Sequence, residues 1–318
     1  MKNTKTVFWF LVISLSLIGN VILFLQRSEQ PFFIHIPDAN SRETYFTLHH
    51  VKEAQAISRG QGISVGILDH YFGYEAHKAI YHDAIDFLND PDSLNTISEH
   101  GYWMASVLKE TAPGCEIYAL NTHESGDEEK KVTAMIAAIE WAVDHKIDIL
   151  TYSSQPISEN QKARLDEAVN KAIENNVVIV FIHYDHPQNL WPNGMFSTSP
   201  LPNGRREPDI NILHYDYNTL LLSTYDKYQK SPANLTSGDD IPYFSLSSTA
   251  PVTAGFVALL KGLDNTLAPQ AYRDILRTTS YRMNFKDPFL LREFECPNVV
   301  DIRKAVSFLQ SQSPNEIK

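Results

Sequence analysis

Cysteine is scarce: 318 residues hold only Cys115 and Cys296. Two thiols cannot build a disulfide framework, and they fit no metal-ligand spacing. They form one bridge if their Cα atoms come within reach, or stay as two partly buried thiols. Positive charge is short as well. Lys and Arg number 27 against 38 Asp and Glu, for a net charge of −11. That balance argues against a nucleic-acid partner, which rewards a basic face. Internal repeats and low-complexity tracts are missing. So is a G-x-S-x-G elbow, which counts against one large class of α/β hydrolase. No Pro/Gly-rich break interrupts the chain after about residue 44, so residues 45–318 read as one domain.

The N-terminus has what the rest lacks, a long apolar run. Val7 to Leu25 reads VFWFLVISLSLIGNVILFL and carries no charge. At about 1.5 Å per residue it approaches the thickness of a bilayer core. Lys2 and Lys5 precede it, so the positive-inside rule keeps residues 1–6 in the cytoplasm. Residues 7–26 are expected to be a transmembrane signal anchor. The following FLQRSEQPFF offers no small-residue cleavage site of the A-x-A kind, which disfavours a cleaved signal peptide. Residues 27–44 hold prolines with Asn, Asp and Ser and read as a linker. The expected topology is single-pass, with residues 45–318 outside the cytoplasm.

Beyond the linker, short apolar runs alternate with amphipathic stretches. ISVGIL (Ile63–Leu68), EIYALN (Glu116–Asn121), IDILTY (Ile147–Tyr152) and VVIVFI (Val177–Ile182) predict buried parallel strands, and TLLLST (Thr219–Thr224) a later one. Val132, Met135, Ile136, Ile139 and Val143 share one helical face; Leu165, Val169 and Ile173 share another. Further helices are expected after Pro251, near 268–278 and near 300–309. The pattern implies βαβ units: an α/β fold, a three-layer sandwich around a mostly parallel sheet.

In such sheets function collects beyond the C-terminal strand ends. Asp69 stands there, directly after ISVGIL. His100 opens a helical stretch, HGYWMASVLKE, and the glycine behind it permits close backbone approach. Ser247, Ser248 and Thr249 crowd ahead of the helix that Pro251 begins, where caps belong. A helix N-terminus also suits a nucleophile, since its free N–H groups favour developing negative charge. Taken singly, each of these residues fits an ordinary turn or cap.

Together they give the chain order Asp, His, Ser. VKEAQAISRGQGISVGILD, HGYWMASVLKETAPGCEIYALN, AAIEWAVDHKIDILTYSS, STAPVTAGFVALL and NVVDIRKAV follow one another as the segments of the subtilisin-like serine proteases do. The chain thus resembles that family from about Leu48 to Phe308, as a divergent member. The resemblance implies acyl transfer through Asp69, His100 and Ser247. Pro251, Ala254 and Gly255 fix the register that selects Ser247; Ser248 is the alternative, one residue out of step. Ser247 would attack the scissile carbonyl, His100 would carry the proton, and Asp69 would orient the imidazole. A protein or peptide substrate is implied. No cofactor is required; structural calcium occurs in the family, but no ligand set here is specific enough to name.

Several positions depart from the pattern. The second His of H-G-T-H is Trp103, and the Gly three positions on is Ser106. Asp-Ser/Thr-Gly has become DHYFG, and the G-T-S glycine is Ser245. Where the family has Gly-Asn after the fourth strand, this chain has Tyr184 and Asp185, so the oxyanion-hole position falls on Asp185. An ionised carboxylate cannot donate a hydrogen bond, and one lost donor costs about 3–4 kcal/mol, or roughly 10²–10³ in rate. Asn189 or Asn193 could supply the amide if the loop is remodelled. The expected function is a membrane-tethered serine endopeptidase. The alternative is a catalytically inactive subtilase fold used for binding. The short stretch between anchor and first strand is expected to hold no separate prodomain.

Overall fold

The structure is a computed structural model. It describes residues 46, 48–96, 100–123, 126–153, 157–182, 184, 186–190, 192–194, 210–212, 246–286 and 293–312. The expected anchor, the linker and TLLLST lie outside them. Among the described residues no helix is long and apolar enough to cross a membrane.

The strands are β1 (Ser64–Asp69), β2 (Asp83–Asp86), β3 (Glu116–Asn121), β4 (Ile149–Tyr152), β5 (Val178–Phe181), β6 (Pro192–Gly194), β7 (Ile210–Ile212), β8 (Tyr281–Lys286) and β9 (Glu293–Val299). The α-helices are α1 (Val51–Gln55), α2 (Pro91–Asn95), α3 (His100–Thr111), α4 (Glu128–Asp144), α5 (Glu159–Glu174), α6 (Thr249–Lys261), α7 (Pro269–Thr278) and α8 (Ile302–Gln312). Short 3-10 turns occupy Lys78–Ile80 and Leu246–Ser248.

β1 to β5 form a sheet in the order β2-β3-β1-β4-β5, and every pairing is parallel. Alternation along each strand sorts its side chains between two cores. Val65, Ile67, Ile117, Ala119, Ile149, Val178 and Val180 join the core built with α1, α3, α6, α7 and α8. Leu68, Leu120, Leu150, Tyr152, Ile179 and Phe181 join the core built with α4 and α5. Helices therefore cover both faces, the three layers that the alternating apolar runs imply. A second sheet has the order β6-β7-β9-β8, with β8 and β9 antiparallel.

The connections explain where the site falls. β2–α3–β3 and β3–α4–β4 advance in the same direction across the sheet, yet α3 and α4 lie on opposite faces. One crossover must be left-handed. α5 lies on the α4 face and advances the same way, and such crossovers are right-handed in about 98% of cases. The exception is β2–α3–β3, which brings the start of α3 over the end of β1. α6 shares that layer. All of its residues are buried, so it runs inside the core, as its nearly unbroken apolar sequence requires. α6 and α3 pack closely because Gly255 lacks a side chain: a Cβ there would stand 2.5 Å from Thr111 Cγ2. The domain's ends meet where Ile302 N–H donates to the His49 carbonyl at 3.1 Å.

β2, the five-residue helix α2 and the antiparallel β8–β9 pair were not signalled by periodicity, being short or polar. Cys115 is a buried free thiol. Burial pushes its pKa up to about 12, with nearby Lys109 opposing only in part.

Candidate active site

Asp69 ends β1 at the centre of the sheet and is fully buried. His100 is the first residue of α3, and its Nδ1 lies 2.7 Å from Asp69 Oδ2. A carboxylate only accepts, so Nδ1 carries the proton. In the neutral ring Nε2 is then the free lone pair, the tautomer a general base needs.

The contact forms because the first turn of α3 is pinned to the segment after β1. Gly101 N–H donates to the His70 carbonyl at 2.9 Å, and Tyr102 N–H to Tyr71 O at 3.3 Å. Only glycine permits this approach, since a Cβ on residue 101 would sit 2.4 Å from the His70 oxygen. The same segment is held from its other side. Tyr71 N–H donates to Ser93 O at 2.8 Å. Asn121, opposite Asp69 in the β1–β3 register, donates from Nδ2 to Asp86 Oδ1 at 2.9 Å and accepts from Ser93 Oγ at 3.1 Å.

Electrostatics tie the pair together. Burial works against ionisation of Asp69, but the charge and hydrogen bond of His100, with a further bond from His70, outweigh it; the carboxyl is held well below its usual range. For His100, burial disfavours the imidazolium, and the charge and hydrogen bond of Asp69 more than reverse this, so its pKa is raised. The helix N-terminus beneath the ring opposes the cation by about 0.3–1 kcal/mol. A hydrogen bond to a charged group is worth about 1.5–3 kcal/mol, so the carboxylate wins.

Ser247 lies in the 3-10 turn that runs into α6, and this turn packs against α3. Ser247 is partly exposed whereas Ser248 is fully buried. Ser248 occupies the N-cap of α6 but makes no side-chain capping bond. Of the two serines, only Ser247 reaches the surface. Asp185 lies outside the described residues. Its neighbour Tyr184 is buried and faces the α5 layer, where its hydroxyl donates to Asp166 Oδ1. Asn189 is not available as a replacement donor. Its Nδ2 donates to the carbonyls of Phe181 and Tyr184, both at 2.8 Å, and its Oδ1 accepts from Phe181 N–H at 2.9 Å. It is a clasp that closes the loop after β5 on itself.

Sequence reasoning gave no role to two further histidines. His70 also reaches Asp69, and His123, just past β3, stacks on it with ring centres 4.4 Å apart. Their signal was position: each follows the C-terminal end of a central strand. Among the described residues no cluster of His, Cys, Asp or Glu is arranged to hold a metal ion.

A doubly covered parallel sheet with this strand order is the fold of the subtilisin-like serine proteases. Solved structures bear this out. The chain superposes on MycP1 with its N-terminal propeptide removed at a TM-score of 0.57, with 15% identity over 82% of this chain and 96% of that one. For a lanthipeptide protease the values are 0.58 and 14%, over 84% and 94%. Fervidolysin from Fervidobacterium pennivorans, a keratinolytic enzyme related to subtilisin, gives 0.56 and 16%, over 88% of this chain and 49% of that one. No family model and no curated protein matches the sequence.

Proposed function

We propose that the chain is a serine endopeptidase that cleaves peptide bonds by acyl transfer, with Ser247 as nucleophile, His100 as general base and acid, and Asp69 as the group that orients and stabilises the imidazole. The observation that carries this reading is the 2.7 Å bond between His100 Nδ1 and the buried Asp69 carboxylate, on an α3 helix that packs against the Ser247 turn. Nε2 of His100 takes the serine proton as Oγ attacks the carbonyl carbon, then returns it to the leaving amine. Water repeats the cycle on the acyl-enzyme. The N–H groups at the start of α6 favour the oxyanion. Residues 7–26 tether the domain to a membrane with residues 45–318 outside the cytoplasm. Structures of similar fold include MycP1, described as a serine protease and an essential component of the type VII (ESX-1) secretion system.

A second reading is an inactive subtilase fold used for binding. The commitment of both Asn189 amide protons to loop carbonyls favours it, because that amide cannot serve an oxyanion. A fluorophosphonate probe separates the two. The first reading expects covalent labelling of Ser247 that is lost in Ser247→Ala. A folded wild-type protein that never labels leaves the binding module.

A further inference from the structure

The site holds more histidine than acyl transfer needs. His70 follows Asp69 directly, and its side chain turns back onto it. Nδ1 of His70 lies 3.0 Å from Asp69 Oδ1, and the His70 backbone N–H donates to the same oxygen at 2.9 Å. Oδ2 is the oxygen that meets His100. The two imidazoles thus approach opposite oxygens of one buried carboxylate. Their ring centres are 6.1 Å apart and their planes differ by 17°. The His70 side chain is 19% exposed, with His123 stacked at 4.4 Å and Tyr71 tilted against it at 4.2 Å.

A buried carboxylate can turn about its Cβ–Cγ bond. Two donors on Oδ1, both from one residue whose ring packs against His123 and Tyr71, restrict that turn. We infer that His70 is a positioning residue of this site: it grips Asp69 by Oδ1, keeps Oδ2 turned to His100, and makes the two imidazoles a coupled pair on a single carboxylate. The consequence for turnover rests on the serine-peptidase reading; the coupling does not.

The coupling follows from charge. One carboxylate can neutralise one imidazolium. A second positive charge on the pair would meet the first across a ring separation of 6.1 Å and be opposed by it. The groups facing His70 are Asp69 of β1, His100 of α3, His123 beyond β3 and Tyr71 in its own segment, while Lys131 of α4 bears on His123. Burial first, then the charge of His70, brings the His123 pKa down to about 4. Above that pH His123 is a neutral stacking partner.

The test is a histidine Cε1–H NMR titration of the full chain, with resonances assigned from His70→Asn and His100→Gln. Removing either imidazole removes one repelling charge, so the midpoint of the survivor rises in at least one variant. Unmoved midpoints in both variants overturn the coupling. Phosphonylation of Ser247 is timed on the same samples. His70→Ala slows it about tenfold to a hundredfold, the worth of a hydrogen bond to a charged group. His70→Asn, whose Nδ2 takes the place of the imidazole Nδ1, recovers part of that loss. Equal losses in Ala and Asn overturn the positioning role. If Ser247 never labels while the midpoints move, the peptidase reading falls and the histidine pair stands. If Ser247 labels and the midpoints stay, the reverse holds.

Discussion

Gly101→Ala tests how the fold assembles the Asp69–His100 pair. The new Cβ would stand 2.4 Å from the His70 carbonyl oxygen and 2.8 and 2.9 Å from two Phe72 ring carbons. A relaxed carbon–oxygen contact needs about 3.3 Å, so the start of α3 must move close to 1 Å from the segment after β1. Ala gains up to about 1 kcal/mol over Gly within a helix, but less at the second residue of α3. Overpacking of a filled site costs about 1–3 kcal/mol, so the clash wins. The net loss is about 1–2 kcal/mol and lowers the melting temperature by roughly 2–6 °C. The functional loss is larger. A misplacement of about 1 Å costs on the order of 10²-fold in rate, so fluorophosphonate labelling of Ser247 slows about a hundredfold in a protein that remains folded. Thermal melting and labelling kinetics on the same sample check both figures. An unchanged melting temperature with unchanged labelling would refute the claim that this contact sets the geometry.

Other outcomes follow from the same structure. Asp69→Asn replaces an acceptor with an amide, loses the Nδ1–H tautomer of His100, and lowers labelling by about 10⁴-fold. Because the folded pKa of Asp69 is depressed, its contribution to stability is fully present above the ordinary carboxylate pKa and is lost as pH falls through the folded value. Acid unfolding of Asp69→Asn therefore lacks that component, as denaturant titrations between about pH 5 and pH 2 would record. Asn189→Ala removes three buried bonds from the loop after β5 and should cost about 1–3 kcal/mol in a urea melt; a smaller change would mean the clasp is dispensable. With Cys296 changed to Ser, Cys115 stays unreactive to a thiol reagent at pH 8 until the protein unfolds, since its thiol is buried and its pKa lies near 12. Asp185→Asn should raise turnover about tenfold or more if residue 185 faces the oxyanion, and an unchanged rate would put the hole elsewhere.

Much of the fold was legible because parallel strands buried on both faces announce themselves as unbroken apolar runs. EIYALN became β3 without a shift of either end, and ENQKARLDEAVNKAIENN became α5, which stops two residues sooner at Glu174. β2 was missed because DAID is polar and only partly buried at the sheet's edge. The Asp69–His100 contact was legible through order, an aspartate at a strand end and a histidine before a glycine; the choice of Ser247 rests on register alone, four residues ahead of Pro251. The role of that glycine was readable in advance, and the His70 carbonyl is the backbone that it admits. The part played by His70 was not readable, because a histidine beside an aspartate in sequence says nothing about which way its ring turns. Asn189 stayed open in the sequence, as one of two amides that could replace Asp185, for a related reason. An amide near a site looks like a donor until its partners are known, and here they are backbone carbonyls.

The most direct test of the central claim is a crystal structure of the protein after reaction with a fluorophosphonate. The account requires the phosphorus on Ser247 Oγ, with His100 Nε2 within about 2.6–3.2 Å of that oxygen and Nδ1 still bound to Asp69. An unmodified Ser247 whose hydroxyl points away from the His100 ring would contradict it.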